Sequence, residues 1–278
     1  MRVHFLGVRG STPAPGIEFV RYGGHTSCVA LTHDGETAPT LLLDAGTGLR
    51  GASELCPSGA FFGTILLSHL HWDHLHGLPF FAAADRDDAS TTVIIPDQGN
   101  GESPVDVISR GMSPPHFPVR PDELRGEWLF NSIGPGEFEV EGFRVLALEI
   151  PHKGGVTFGY RVSDDHSTLT YMPDHYPSSL GLGEDGWGVY HPAAMELARD
   201  VDVLVHDSQL VAEEIEREAW FGHAAAEYSV GLATAANARR TVLFHYKPSR
   251  SDDALDEIVG RFAGQSVIAA NQSLILDL

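Results

Sequence analysis

One eleven-residue run constrains this chain more than any other: Thr64-Ile65-Leu66-Leu67-Ser68-His69-Leu70-His71-Trp72-Asp73-His74. An apolar stretch of strand length ends in four metal-competent side chains, His69, His71, Asp73 and His74, within six residues. Imidazole suits zinc and other borderline metals, and carboxylate suits harder ones. A mixed set without thiolate fits a site that keeps coordination positions open for water. Four such groups at a strand end are costly to bury unless a cation compensates them. His69 and His71, two apart on extended backbone, point the same way. Asp73 and His74, beyond the turn, face a second position. The spacing therefore predicts two metal ions sharing one water.

Strand-length apolar runs recur along the chain between glycine and proline punctuation, at 3–8, 27–32, 40–43, 64–67, 92–95, 143–150, 157–162, 168–172, 201–205, 241–244 and 273–276. Helical patterns fall at 209–219, 224–236 and 252–262, the last opened by Ser251 as N-cap with acidic residues in its first turn. Strands first, with helices between the later ones, imply layered packing with helices covering sheets. The whole of 1–278 reads as one domain. Residues 96–121, rich in proline and glycine, read as a long loop or insertion, because the strand pattern resumes after them without a change of composition.

His-Leu-His-Trp-Asp-His resembles the HxHxDH motif of the metallo-β-lactamase-fold hydrolases. Three strand-end residues match the rest of that pattern: His152 in Ile-Pro-His, Asp174 in Tyr-Met-Pro-Asp, and His245 in Val-Leu-Phe-His. The resemblance implies an α+β fold, a four-layer αββα sandwich. It gives one metal to His69, His71 and His152, the other to Asp73, His74 and His245, with Asp174 between them. The ions would be zinc in the first instance, with manganese or iron compatible with the same ligands.

Further stretches resemble the cyclic-nucleotide-phosphodiesterase-like group, relatives of the tRNA-maturation endoribonucleases. These are Gly7-Val8-Arg9-Gly10-Ser11-Thr12-Pro13, Arg21 to Cys28, Leu43 to Gly48, His206 to Gln209, and Gly222-His223. The resemblance makes His223 the donor of a proton to the leaving group, with Asp207 orienting its ring. It departs at His25, where asparagine is expected, at Ala224-Ala225, where Ser-Thr is usual, and at Lys153, where proline is common. Hydrolysis of a small phosphodiester such as a cyclic nucleotide is the leading expectation. The alternatives are a tRNA-maturation endoribonuclease, a carboxylic-ester, lactone or thioester hydrolase, and, last, a non-enzymatic sensor.

Composition bears on partners. Eighteen Lys and Arg against 38 Asp and Glu give a formal net charge of −20. Such a field repels a polyanion, so a small anionic substrate is expected and a long nucleic acid is not. No apolar run is long enough for a membrane span, and the two cysteines make no disulfide framework, so a cytoplasmic location is expected and a homodimer is allowed. The only lysines, Lys153 and Lys247, flank the expected ligands His152 and His245 and are candidate contacts for an anionic substrate. Gly46-Thr47-Gly48-Leu49-Arg50-Gly51 matches a dinucleotide fingerprint, but Asp44 at the preceding strand end would repel pyrophosphate, so it reads as a tight turn held by Asp44. His4, His33, His116, His166, His191 and His206 read as ordinary residues, with His76 and His175 standing beside the expected ligands.

Overall fold

The computed structural model describes residues 1–278. Its strands are β1 (Arg2–Gly7), β2 (Cys28–Thr32), β3 (Leu41–Leu43), β4 (Phe62–Leu66), β5 (Ser90–Pro96), β6 (Glu127–Ile133) and β7 (Gly136–Val140). They continue with β8 (Phe143–Glu149), β9 (Phe158–Ser163), β10 (Thr168–Met172), β11 (Val203–Asp207), β12 (Thr241–Phe244), β13 (Val267–Ala269) and β14 (Ile275–Asp277). Two seven-stranded sheets result, ordered β14-β1-β2-β3-β4-β5-β6 and β13-β12-β11-β10-β9-β8-β7. Both follow one plan. Antiparallel pairing runs from β14 to β3 in one sheet and from β7 to β10 in the other, and parallel pairing completes each.

Strand alternation builds the layers. Val29, Leu31, Leu41 and Leu43 join Val145, Tyr160, Leu169, Val205 and Val242 in the core between the sheets. Their neighbours Cys28, Ala30 and Leu42 turn outward with Ile65, under α1 (Leu49–Ala52), α2 (Trp72–Leu75) and α3 (Pro104–Ser109). On the far face Met172 and Leu204 lie under α4 (Pro192–Ala198) and α6 (Ala226–Ala235). The architecture is the expected four-layer αββα sandwich, with α5 (Ile215–Glu218) and α7 (Asp252–Gly260) completing the helices.

Three strands escape the apolar pattern, and all three are sheet edges. β6, β7 and β13 carry no fully buried residue; exposed polar positions dilute the periodicity of β6 and β7, and β13 is only three residues long. The helix expected over 209–219 is broken into a four-residue α5 between two 3-10 turns. Ser251 does cap α7, accepting a hydrogen bond from the Ala254 amide at 3.3 Å. The segment at 96–121 contains α3 and anchors Val107, Ile108 and Met112 in the outer core of the first sheet.

Arg9 is a fully buried cation at the junction of the sheets. Its guanidinium donates to the Gly23 carbonyl at 2.8 Å and the Arg250 carbonyl at 2.7 Å, and pairs with Asp252 at 3.4 Å. Removing one partner of a buried pair leaves an uncompensated charge. Arg9→Met is expected to destabilise the fold by about 3–5 kcal/mol in urea unfolding, and a loss within a few tenths of a kcal/mol would refute this role.

Candidate metal centre

The expected ligands come together at one edge, at or just beyond the C-terminal ends of strands from both sheets. His69 follows β4, His152 follows β8, Asp174 follows β10 and His245 follows β12, with two carboxylates that were not expected as ligands beside them, Asp44 after β3 and Asp207 at the end of β11. This is where open sheets with parallel strands form crevices. His71 precedes α2, and Asp73 and His74 lie in its first turn.

Around one position, His69, His71, His152 and Asp174 each offer a ligand atom within 4.8 Å of the others. His152 Nε2 lies 3.3 Å from His71 Nδ1 and 3.5 Å from Asp174 Oδ1. His69 Nε2 is buried without any hydrogen-bond partner. Around the second position, His74 Nε2 lies 3.2 Å from His245 Nε2, 2.9 Å from Asp174 Oδ2 and 3.3 Å from Asp73 Oδ2. His245 Nε2 lies 3.0 Å from Asp73 Oδ2 and 3.2 Å from Asp174 Oδ2. Bonds of about 2.0–2.1 Å to a tetrahedral ion put neighbouring ligand atoms roughly 3.3 Å apart. The spacing fits a divalent cation at each position, and the two oxygens of Asp174 face one position each.

The surrounding hydrogen bonds fix which ring nitrogens are free. Asp44 Oδ2 accepts from His74 Nδ1 at 2.7 Å, which leaves Nε2 as the nitrogen that coordinates once its proton is lost. The Ser68 hydroxyl donates to Asp44 at 2.9 Å and therefore accepts from His69 Nδ1 at 3.0 Å, freeing His69 Nε2. His152 Nδ1 donates to the Gly222 carbonyl at 2.7 Å. Gly222 has φ 104°, and a Cβ there would stand 3.2 Å from the His152 ring, so glycine is what lets this carbonyl approach. Asp73 Oδ2 is held by the Ser11 amide at 2.6 Å.

Charge completes the fit. Burial pushes the His152 pKa down to about 4, leaving its ring neutral and able to coordinate. Burial also disfavours charge on His74, but Asp73, Asp44 and Asp174 outweigh it and hold that ring cationic, well above the usual imidazole range. Burial would raise the Asp174 pKa, yet His245, His74, His69 and His152 keep it well below the usual carboxylate range. A cation entering the second position must displace the proton of His74.

His223 stands beside these groups. Its Nδ1 lies 3.1 Å from Asp207 Oδ2 and 3.5 Å from Asp174 Oδ1. Burial would lower its pKa, but Asp207 chiefly, then Asp174 and Asp73, raise it above the usual value. Asp207 is itself held by the amides of His175, Gln209 and Ala224 at 3.0, 3.0 and 3.1 Å.

Neither lysine joins the cluster. Lys153 Nζ donates to the Trp220 carbonyl at 2.9 Å and sits 4.9 Å from the centre of the Trp220 ring. Lys247 pairs with Glu214 at 3.3 Å and with Glu218, so its charge is spent on carboxylates. His76 stacks on Trp72, and His175 lies behind Asp207 against His206. Sequence reasoning missed Ser68, Ser11 and Tyr171, whose hydroxyl donates to Asp44 at 2.9 Å. The adjacency of Ser68 to His69 was the one available signal.

An αββα sandwich that gathers histidines and aspartates at a shared strand-end edge is a metal-dependent hydrolase of the metallo-β-lactamase fold. The chain belongs to the beta-lactamase superfamily, whose domain model matches residues 40–246. A ribonuclease Z from Haloarcula marismortui is 23% identical, with 97% of this chain and 94% of that protein covered. The short form of human tRNase Z shares the fold with a TM-score of 0.66 at 20% identity, covering 100% of this chain and 99% of that one. Zinc-bound PqqB from Methylobacterium extorquens does so with a TM-score of 0.71 at 17% identity, both chains being covered in full. No helix is long and apolar enough to cross a membrane.

These relatives correct one expectation. A net charge of −20 does not exclude a long nucleic acid in this family, because a ribonuclease Z aligns with nearly the whole chain. Total charge describes the far field, whereas a phosphate is engaged locally, where bound cations invert the sign.

Because His74 must lose a proton, divalent-ion affinity is expected to rise with pH. Asp44→Asn, by loosening His74, is expected to weaken it about 10–100-fold. Competition with a chromophoric chelator at two pH values measures both, and affinity independent of pH and of Asp44 would contradict the assigned ligand geometry.

Proposed function

We propose that the chain is a metal-dependent phosphodiester hydrolase that acts on RNA. The observation that carries the reading is the His223–Asp207 pair, 3.1 Å apart and beside Asp174, because a protein that only binds metal has no use for a proton donor at that place. The ribonuclease Z relatives favour RNA over the cyclic nucleotide expected first.

His69, His71 and His152 would hold one ion and Asp73, His74 and His245 the other, with Asp174 shared. When bound, two such ions supply Lewis acidity toward phosphoryl oxygens and bring the pKa of a water near neutrality. The residues of the chain do the rest. Asp73, fixed by the Ser11 amide, and His74, fixed by Asp44, hold their side of the centre rigid. His223, its Nδ1–H directed at Asp207, is placed to pass a proton from Nε2 to the departing oxygen. Lys153, beside His152, would add positive charge at the rim.

The proton donor must be charged to act. A pKa raised by Asp207 keeps activity up to higher pH, and activity falls as pH climbs through it. Asp207→Asn is expected to move this basic limb to lower pH. His223→Ala is expected to cut kcat about 10²–10⁴-fold with two ions still bound by elemental analysis. The substrates are a 3′-extended precursor tRNA, an unstructured RNA oligonucleotide, 2′,3′- and 3′,5′-cyclic nucleotides and a carboxylic-ester panel. RNA cleavage supports the reading, cyclic-nucleotide turnover alone would replace RNA with a small phosphodiester, and carbonyl-ester turnover alone would overturn it.

A further inference from the structure

Trp72 stands between the ligand residues His71 and Asp73, yet 67% of its surface is exposed. Nothing in the folding of α2 calls for a large aromatic at that place. The ring is oriented all the same: it stacks on His76, with centroids 5.5 Å apart and planes 21° from parallel. Its indole nitrogen lies 3.7 Å from where a side chain at Gly111 would begin, so the ring reaches across to the segment at 96–121.

Between them lies a cleft of about 710 Å³, lined among others by Trp72, Val107, Ile108, Arg110, His116 and Gly154. Its size suits a nucleotide-sized ligand. It abuts the metal centre, for a Cβ on Gly154 would stand 2.9 Å from His71 Nε2, and the other nitrogen of that ring faces His152. Gln98 sets the width of the cleft, donating to the Pro96 carbonyl at 2.9 Å and accepting from the Val156 amide at 3.2 Å. The segment at 96–121 is thereby tied to the glycine loop beside the centre. Val107 and Ile108 give an apolar floor, while the exposed guanidinium of Arg110, which pairs with Glu102, and exposed His116 bring hydrogen-bonding groups to the wall.

An aromatic face, an apolar floor and a nearby guanidinium are the parts with which proteins hold an unpaired nucleotide, the base stacking and the backbone meeting positive charge. We propose that this cleft is a nucleoside subsite, in which the base next to the scissile phosphate stacks on Trp72. This rests on the phosphodiester reading above and specifies where the flanking nucleotide lies.

Two esters with one leaving group test it: thymidine 5′-(4-nitrophenyl phosphate) and methyl 4-nitrophenyl phosphate, hydrolysed by the metal-loaded full chain. In Trp72→Ala the preference for the nucleoside ester, as a ratio of kcat/KM values, is expected to fall about tenfold, mainly through KM, and Trp72→Phe is expected to restore most of it. Calorimetric binding of adenosine 5′-monophosphate gives a readout without turnover, and its Kd is expected to rise by a similar factor in Trp72→Ala. If neither ester nor any of the RNA and cyclic-nucleotide substrates above is hydrolysed while the Trp72-dependent binding of the nucleotide persists, the phosphodiester reading fails and the subsite stands. An unchanged ester ratio together with an unchanged Kd, or no nucleotide binding by the wild-type chain, would overturn the subsite.

Discussion

The centre depends on one buried carboxylate that ligates nothing. Asp44, in the left-handed region at φ 61° and fully buried, accepts four hydrogen bonds: from the Ser68 amide at 2.7 Å, the Ser68 hydroxyl at 2.9 Å, His74 at 2.7 Å and the Tyr171 hydroxyl at 2.9 Å. These donors come from the ends of β4 and α2 on one side and from β10 of the opposite sheet on the other. A buried charge is tolerated when its lone pairs are satisfied. Here the satisfaction also selects the tautomers of His69 and His74. The packing of the two sheets and the orientation of the ligands are thus one constraint.

That constraint explains how an acidic chain can serve an anionic substrate. Asp73, Asp174 and Asp207 lie buried among histidines rather than on the surface, and their charge favours the protonated forms, Asp73 and Asp174 acting on His74 and all three on His223. Bound cations would convert the same cluster into a local positive field inside a molecule of net charge −20. The ammonium groups contribute less than their positions in the chain suggest, since Lys247 is neutralised by Glu214 and Glu218.

The candidate cluster was legible in the sequence because His69, His152, Asp174 and His245 each follow an apolar strand, and strand ends are what this architecture brings to one edge. His69 to His74 form a local motif, while His152, Asp174 and His245 are singled out by the family resemblance, each after an apolar run. Asp44 was legible as a turn-holding residue, but its donor Tyr171 was not, because a tyrosine inside a strand looks like core until the opposite sheet is in place. The edge strands β6 and β7 were illegible for a different reason, since half-buried strands need little apolar periodicity, and β13, though apolar, is only three residues long. Lys247 turns to Glu214 and Glu218 and Lys153 to the Trp220 carbonyl, because proximity in sequence to a ligand does not fix where a long flexible side chain finds its partner.

The central claim is that two cations share Asp174, and counting them is the direct measurement. Elemental analysis of the purified chain, loaded with zinc or manganese and freed of excess ion, is expected to give two divalent ions per chain, and Asp174→Asn is expected to fall below two. A wild-type chain that saturates at one ion, or binds none, would contradict the account.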